Sequence, residues 1–220
     1  MGKSFKRLFA LCLAAVMVIA SSLSVMAAPA SPTQGGKNVE PVITKRSSTT
    51  NTKKGTVSVY YKSKNADQYV IQYKLNKTSW SKASKKATSS KKITLTGLKK
   101  KGGLYDIRVA GVNSNGVQGK WSEITRRLMS KTLATGSSKN GKVTVKLPKT
   151  KNATAYRIMY STSSDFSNAK MAGQSAKCTT RTISGLTKGK TYYFKVYPIA
   201  QTPSGATYTG ESTTFSVKVK

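Results

Sequence analysis

Tyr69-Val70-Ile71-Gln72-Tyr73 and Tyr156-Arg157-Ile158-Met159-Tyr160 are one pattern written twice, 87 residues apart. In both, Tyr, Ile and Tyr occupy alternate positions, the period of a strand that buries one face. The flanks repeat at nearly the same spacing. Val57 and Val59 return as Val143 and Val145, Leu98 as Leu186, and Tyr105 and Val109 as Tyr192 and Val196. A period of this length is too long for a solenoid unit. It suits a whole small domain in tandem.

Each copy reads as strands. Thr56 to Tyr61, Lys92 to Leu95 and Asp106 to Val109 alternate polar and apolar in the first copy, as do Lys142 to Leu147 and Thr191 to Val196 in the second. Turn dipeptides separate the runs, among them Lys54-Gly55, Gly102-Gly103, Asn115-Gly116 and Asn140-Gly141. No comparable run has a helical period. About seven short strands per copy predict an antiparallel β-sandwich. The chain divides into residues 39–129 and 130–220, and the join near Leu128 to Thr132 lacks a Pro/Gly-rich linker. The domains are therefore expected end to end with a short connection.

In these features each copy resembles a fibronectin type III domain, an immunoglobulin-like sandwich. The resemblance rests on the Tyr-x-hydrophobic-x-Tyr strand and on Thr96-Gly97-Leu98 before Tyr105, matched by Ser184-Gly185-Leu186 before Tyr192. It also rests on the inward pairs Ile107/Val109 and Phe194/Val196, and on Asn113, Gly116 and Trp121-Ser122, with Trp121 read as opening the last strand. It implies a structural corner in each copy, Leu98 with Tyr105 and Leu186 with Tyr192, where the Tyr hydroxyl bonds back to the preceding chain. Two departures stand out. Tyr61 and Leu147 replace the family's inward Trp, which makes the core smaller, more so in the second copy. One extra residue lies between Lys99 and Gly103 in the first copy. There is no Arg-Gly-Asp, so integrin binding has no support.

Lys3, Lys6 and Arg7 precede an apolar run from Leu8 to Ala20, and Val25-Met26-Ala27 leaves small residues where a signal peptidase cuts. Residues 1–27 are read as a cleaved signal peptide and 28–38 as a flexible leader. A membrane anchor is the alternative, but 13 apolar residues fall short of the roughly 20 that a span needs. Cys12 sits inside the run, not at its end as in a lipoprotein. Cleavage would leave Cys178 as the lone thiol, so packing must hold the fold.

Composition narrows function further. The 39 Lys and Arg face 6 Asp and Glu, for a net charge of +33, and there is no His. Triads built on His and His-ligated metals are excluded, and six dispersed acids argue against a carboxylate dyad or calcium cage. No catalytic residues, metal ligands or cofactor are assigned, and the chain is read as not an enzyme. Removing the three bases of residues 1–27 still leaves 36 against six acids, a net +30 spread over both copies. Such a surface repels itself and attracts fixed polyanions, driven by counterion release without sequence specificity.

The resemblance, to Lys-rich tandem proteins of bacterial surfaces, implies a secreted structural, adhesive or spacer module, released or held non-covalently at the wall. The expected partners are anionic cell-wall polymers or other extracellular polyanions. Export disfavours a specific nucleic-acid partner. Candidate binding residues are the loop cluster Lys99, Lys100 and Lys101, and the outward set Arg157, Tyr193, Lys195 and Tyr197, which strand pairing of the family's kind would gather on one face. Arg108 is expected to point to solvent. The alternative is a carbohydrate-binding accessory module using exposed Tyr, Trp80 and Trp121.

Overall fold

The computed structural model describes residues 39–98 and 102–220. Residues 1–27, read as a signal peptide, residues 28–38, read as a leader, and the cluster Lys99, Lys100 and Lys101 lie outside the described residues. The chain is all-β and forms two consecutive β-sandwiches.

The first contains β1 (Val42–Asn51), β2 (Thr56–Lys64), β3 (Gln68–Leu75), β4 (Ser84–Thr88), β5 (Lys92–Leu95), β6 (Leu104–Val112) and β7 (Thr125–Lys131). One sheet runs β1-β2-β5 and the facing one β4-β3-β6-β7. The alternation read from sequence sets the core. Val57, Val59 and Tyr61 from β2 and Leu95 from β5 meet Tyr69 and Ile71 from β3 and Tyr105, Ile107 and Val109 from β6, all buried. Tyr61 fills the inward position with a polar tip satisfied: its hydroxyl donates to the Ser90 carbonyl at 2.7 Å and its ring lies 4.5 Å from that of Tyr69. Burial pushes its phenol well above the ordinary value.

The second sandwich contains β8 (Thr135–Lys139), β9 (Lys142–Lys146), β10 (Ala155–Ser161), β11 (Lys170–Ser175), β12 (Thr180–Ile183), β13 (Thr191–Gln201), β14 (Thr207–Glu211) and β15 (Thr213–Lys218). Its sheets are β12-β9-β8 and β11-β10-β13, with β15 on the far side of β13. Val143, Val145, Leu147, Tyr156, Ile158, Phe194 and Val196 make its core. The leading tyrosines of the repeated motif are both anchored by hydrogen bonds. Tyr69 Oη pairs with Ser63 Oγ at 2.7 Å, and Tyr156 Oη donates to the Pro148 carbonyl at 2.8 Å.

The short connection Thr132-Leu133-Ala134 is not all that joins the sandwiches. β13 outruns its repeat partner β6, and its last residues form a hairpin with β14. β14 then lies parallel to β7, with Thr209 beside Arg127 and Glu211 beside Lys131. One sheet of nine strands therefore crosses both sandwiches. Gly210 permits the approach: a Cβ there would stand 2.5 Å from the Ser130 carbonyl oxygen and 2.7 Å from Pro198 Cγ. Gly210→Ala should cost about 1–3 kcal/mol, the usual range for overpacking. Urea unfolding would check it; an unchanged midpoint would mean that β14 can lift off β7 freely.

Candidate functional site

Three groups of charged and aromatic side chains lie on these sheets. The first is the outward face of the second sandwich. Strand pairing sets Arg157 opposite Tyr197, Met159 opposite Lys195 and Ser161 opposite Tyr193, so the four candidates from this face lie on one side of β10 and β13. Arg157 is exposed; Tyr193, Lys195 and Tyr197 are half-buried. Lys195 Nζ lies 5.7 Å from the Tyr197 ring centroid and 5.5 Å from that of Phe166. Phe166 comes from the β10–β11 loop, where its φ of 64° is in the left-handed region that a bulky residue rarely adopts. Asp165 shapes that loop, accepting the Ser163 hydroxyl at 2.7 Å and the Ser167 amide at 2.8 Å. These bonds, the Ser163 hydroxyl foremost, hold its carboxyl down at about 2.

The residues read as corners lie one pair in each sandwich. Leu98 and Tyr105 are buried; Leu186 and Tyr192 are half-buried against the second core. Tyr192 Oη accepts the Thr187 amide at 3.3 Å. The preceding Gly97 and Gly185 have φ of 69° and 70°, so the same left-handed turn recurs in both copies.

The second group corrects two expectations. Arg108 does not project freely into solvent. Its guanidinium lies 4.1 Å from the Trp80 ring centroid and 4.5 Å from that of Trp121, and Nε and Nη2 donate to Gln72 Oε1 at 2.9 and 2.6 Å. Burial pushes it below its ordinary value. Trp121 does not open a strand either, because β7 begins at Thr125. Ser122 takes the pairing position instead: its amide donates to the Val109 carbonyl at 2.8 Å and its hydroxyl accepts the Val109 amide at 3.1 Å. Both indoles thus hold a cation between them, which occupies one face of each.

The third group joins the sandwiches. Asp106 takes an outward position in β6, yet Tyr208 of β14 covers it. Tyr208 Oη donates to Asp106 Oδ1 at 2.6 Å, Lys74 Nζ lies 3.1 Å from Oδ2, and Arg126 Nε stands 3.8 Å from Oδ1. Burial first, then Asp106, pushes the Tyr208 phenol up to about 12. Leu128, Ala200 and Tyr208 close an apolar cluster around this contact. Nearby, Glu211 accepts the Thr52 amide and hydroxyl at 2.6 and 2.7 Å and pairs with Lys131 at 3.0 Å. Burial pushes its carboxyl up, but the Thr52 bonds and the Lys131 ammonium outweigh that and hold it below the usual carboxylate range.

Among the described residues, no three His, Cys, Asp or Glu side chains come together in a group that could hold a metal ion. Cys178 is exposed and unpaired.

No protein-family model matches the chain, and no curated protein does. Solved structures are similar in fold. The FN1–FN3 domains of chicken CNTN1 align over 83% of this chain and 68% of theirs, at 13% identity and a TM-score of 0.35. A segment of two fibronectin type III domains from chicken tenascin aligns over 81% of this chain and 97% of its own, at 15% identity and a TM-score of 0.37.

Proposed function

We propose that the chain is an exported, non-catalytic tandem fibronectin type III module with a structural, adhesive or spacer role at the cell envelope, and that it binds anionic wall polymers or other extracellular polyanions through its basic surface. The observation that carries the reading is where the acids go. Among the described residues only Arg46, Lys74, Arg126 and Lys131 have a carboxylate within ion-pair distance. Asp106 and Glu211 sit between the sandwiches and pair with Lys74, Arg126 and Lys131 there. Among the described residues most of the other lysines are exposed, in a chain of net charge +33. Arg157, Lys195 and their neighbouring tyrosines form one part of that field, not a pocket with its own specificity.

Binding to a glycerol-phosphate wall polymer, heparin and DNA across a salt series tests this. Affinity should fall steeply with salt on all three, because each phosphate or sulfate engaged releases counterions. An exposed single change such as Lys85→Ala should matter little. Salt-insensitive binding to one neutral glycan, lost on changing Trp80 or Tyr193, would replace this reading with carbohydrate recognition.

A further inference from the structure

A groove of about 390 Å³ opens between β1 and β7, with Lys45, Arg46, Ser48, Thr125 and Arg127 among its walls. It exists because these two strands place polar residues at inward register. Arg46 stands opposite Tyr61, Ser48 opposite Val59 and Arg127 opposite Tyr105, and all three partners are core residues. The two arginines therefore reach in where the sheets part. Neutral oxygens fix their orientation. Arg127 Nε donates to Ser48 Oγ at 2.7 Å and its Nη2 to the Ser48 carbonyl at 2.5 Å; Arg46 Nε donates to Thr125 Oγ1 at 3.0 Å.

The charges are not matched in the same way. Arg46 has Glu123 at 2.9 Å, but that carboxylate is 89% exposed, and such a pair is weak. Arg127 has no carboxylate partner among the described residues. Burial pushes its guanidinium down from the ordinary value, with Tyr197 working the other way. A guanidinium carries five donors, and no protein oxygen among the described residues takes the Nη1 of either arginine. The groove thus presents two oriented, part-satisfied forks, one without a counter-ion. Because Thr209 pairs with both Arg127 and Ile199, Arg127 shares its side of the sheet with Tyr197 and Lys195, so the groove adjoins the basic face of the second sandwich.

We propose that this groove binds one tetrahedral oxyanion, a phosphate or sulfate ester, through the free edges of Arg127 and Arg46 with Lys45 at the rim. Planar forks match such an oxyanion in a way that lysines do not. The inference deepens the polyanion reading: it names one place where a diffuse field becomes a fitted contact, and it rests on that reading only for the source of the group.

The test begins with small anions. The isotope-labelled chain is titrated with inorganic phosphate, inorganic sulfate and chloride at constant ionic strength, and the arginine Nε–Hε resonances are followed. Arg46 and Arg127 should shift saturably with phosphate and sulfate but not chloride, while the exposed Arg157 and Arg181 only drift. Arg127→Lys keeps the net charge and should weaken the response about tenfold. Should that variant not fold, Lys45→Ala on the exposed rim should weaken it about threefold. A glycerol-phosphate oligomer and a heparin disaccharide then separate the two sources. Uniform drift of all four arginines, or a saturable response that survives both variants, would overturn the site. Saturable phosphate binding without any polymer binding would keep the site and remove the polyanion reading.

Discussion

Asp106→Ala is expected to destabilise the chain by about 3–5 kcal/mol, the cost of breaking a buried ion pair from one side. The lysine left behind has nowhere to go. The Lys74 side chain is 7% exposed and that of Asp106 10%, and besides Asp106 Oδ2 at 3.1 Å the ammonium reaches the Leu75 and Asn76 carbonyls, each at 3.4 Å, and the face of Trp80 at 4.9 Å, none of which carries a formal negative charge. The same deletion strands the Tyr208 hydroxyl, whose 2.6 Å bond to Asp106 is buried. Asp106→Asn keeps the shape and should cost less. The comparison by urea unfolding isolates the charge from the volume. A loss under about 1 kcal/mol for Asp106→Ala would mean that Lys74 escapes to water and that the second sandwich does not seal this contact.

Asp106 also marks where sequence reasoning stopped. The repeated Tyr-x-Ile-x-Tyr strand, the inward valines and the glycine turns were legible because each is local and periodic. They were enough for two sandwiches. An outward position in a period-two strand, however, reads as solvent-facing whether water or another sandwich covers it. Nothing in Leu104 to Val109 says that Tyr208, about a hundred residues on, will do so. A signal did exist: the stretch 196–217 carries no lysine or arginine in a chain with 39 of them, and its one charge is Glu211. In such a chain a base-free window that contains an acid marks a surface meant to dock. Arg108 was misread for a related reason. Trp80 and Trp121 flank it only after two loops fold back over the sheet. Arg127 was invisible because an inward arginine is expected nowhere in a sandwich; it is tolerated here because β1 and β7 leave the edge open.

The other large effect lies in the second core. Phe194→Ala is expected to cost about 3–5 kcal/mol, the range for removing a buried aromatic ring. The repeat explains why this ring matters. The first sandwich has Tyr61 and Ile107 where the second has Leu147 and Phe194, so the volume lost at Leu147 is returned on the facing sheet. Phe194 is 0% exposed and stands in a row across β10, β13 and β15, opposite Tyr160 and Phe215. The ring centroids are 6.0 and 5.3 Å apart and the planes nearly parallel. Gly136 of β8 makes room for the row, since a Cβ there would lie 2.6 Å from Phe215. Truncation therefore opens a cavity between two rings that are held by their own strands and cannot close it. Circular dichroism during urea unfolding reads both sandwiches, while fluorescence reads the first alone, because Trp80 and Trp121 both lie there. If the sheet shared through β7 and β14 couples the sandwiches, both midpoints should fall together. A fluorescence midpoint that stays in place while the dichroism transition splits would show that the second sandwich unfolds by itself, and that the contact at Asp106 joins two independent bodies.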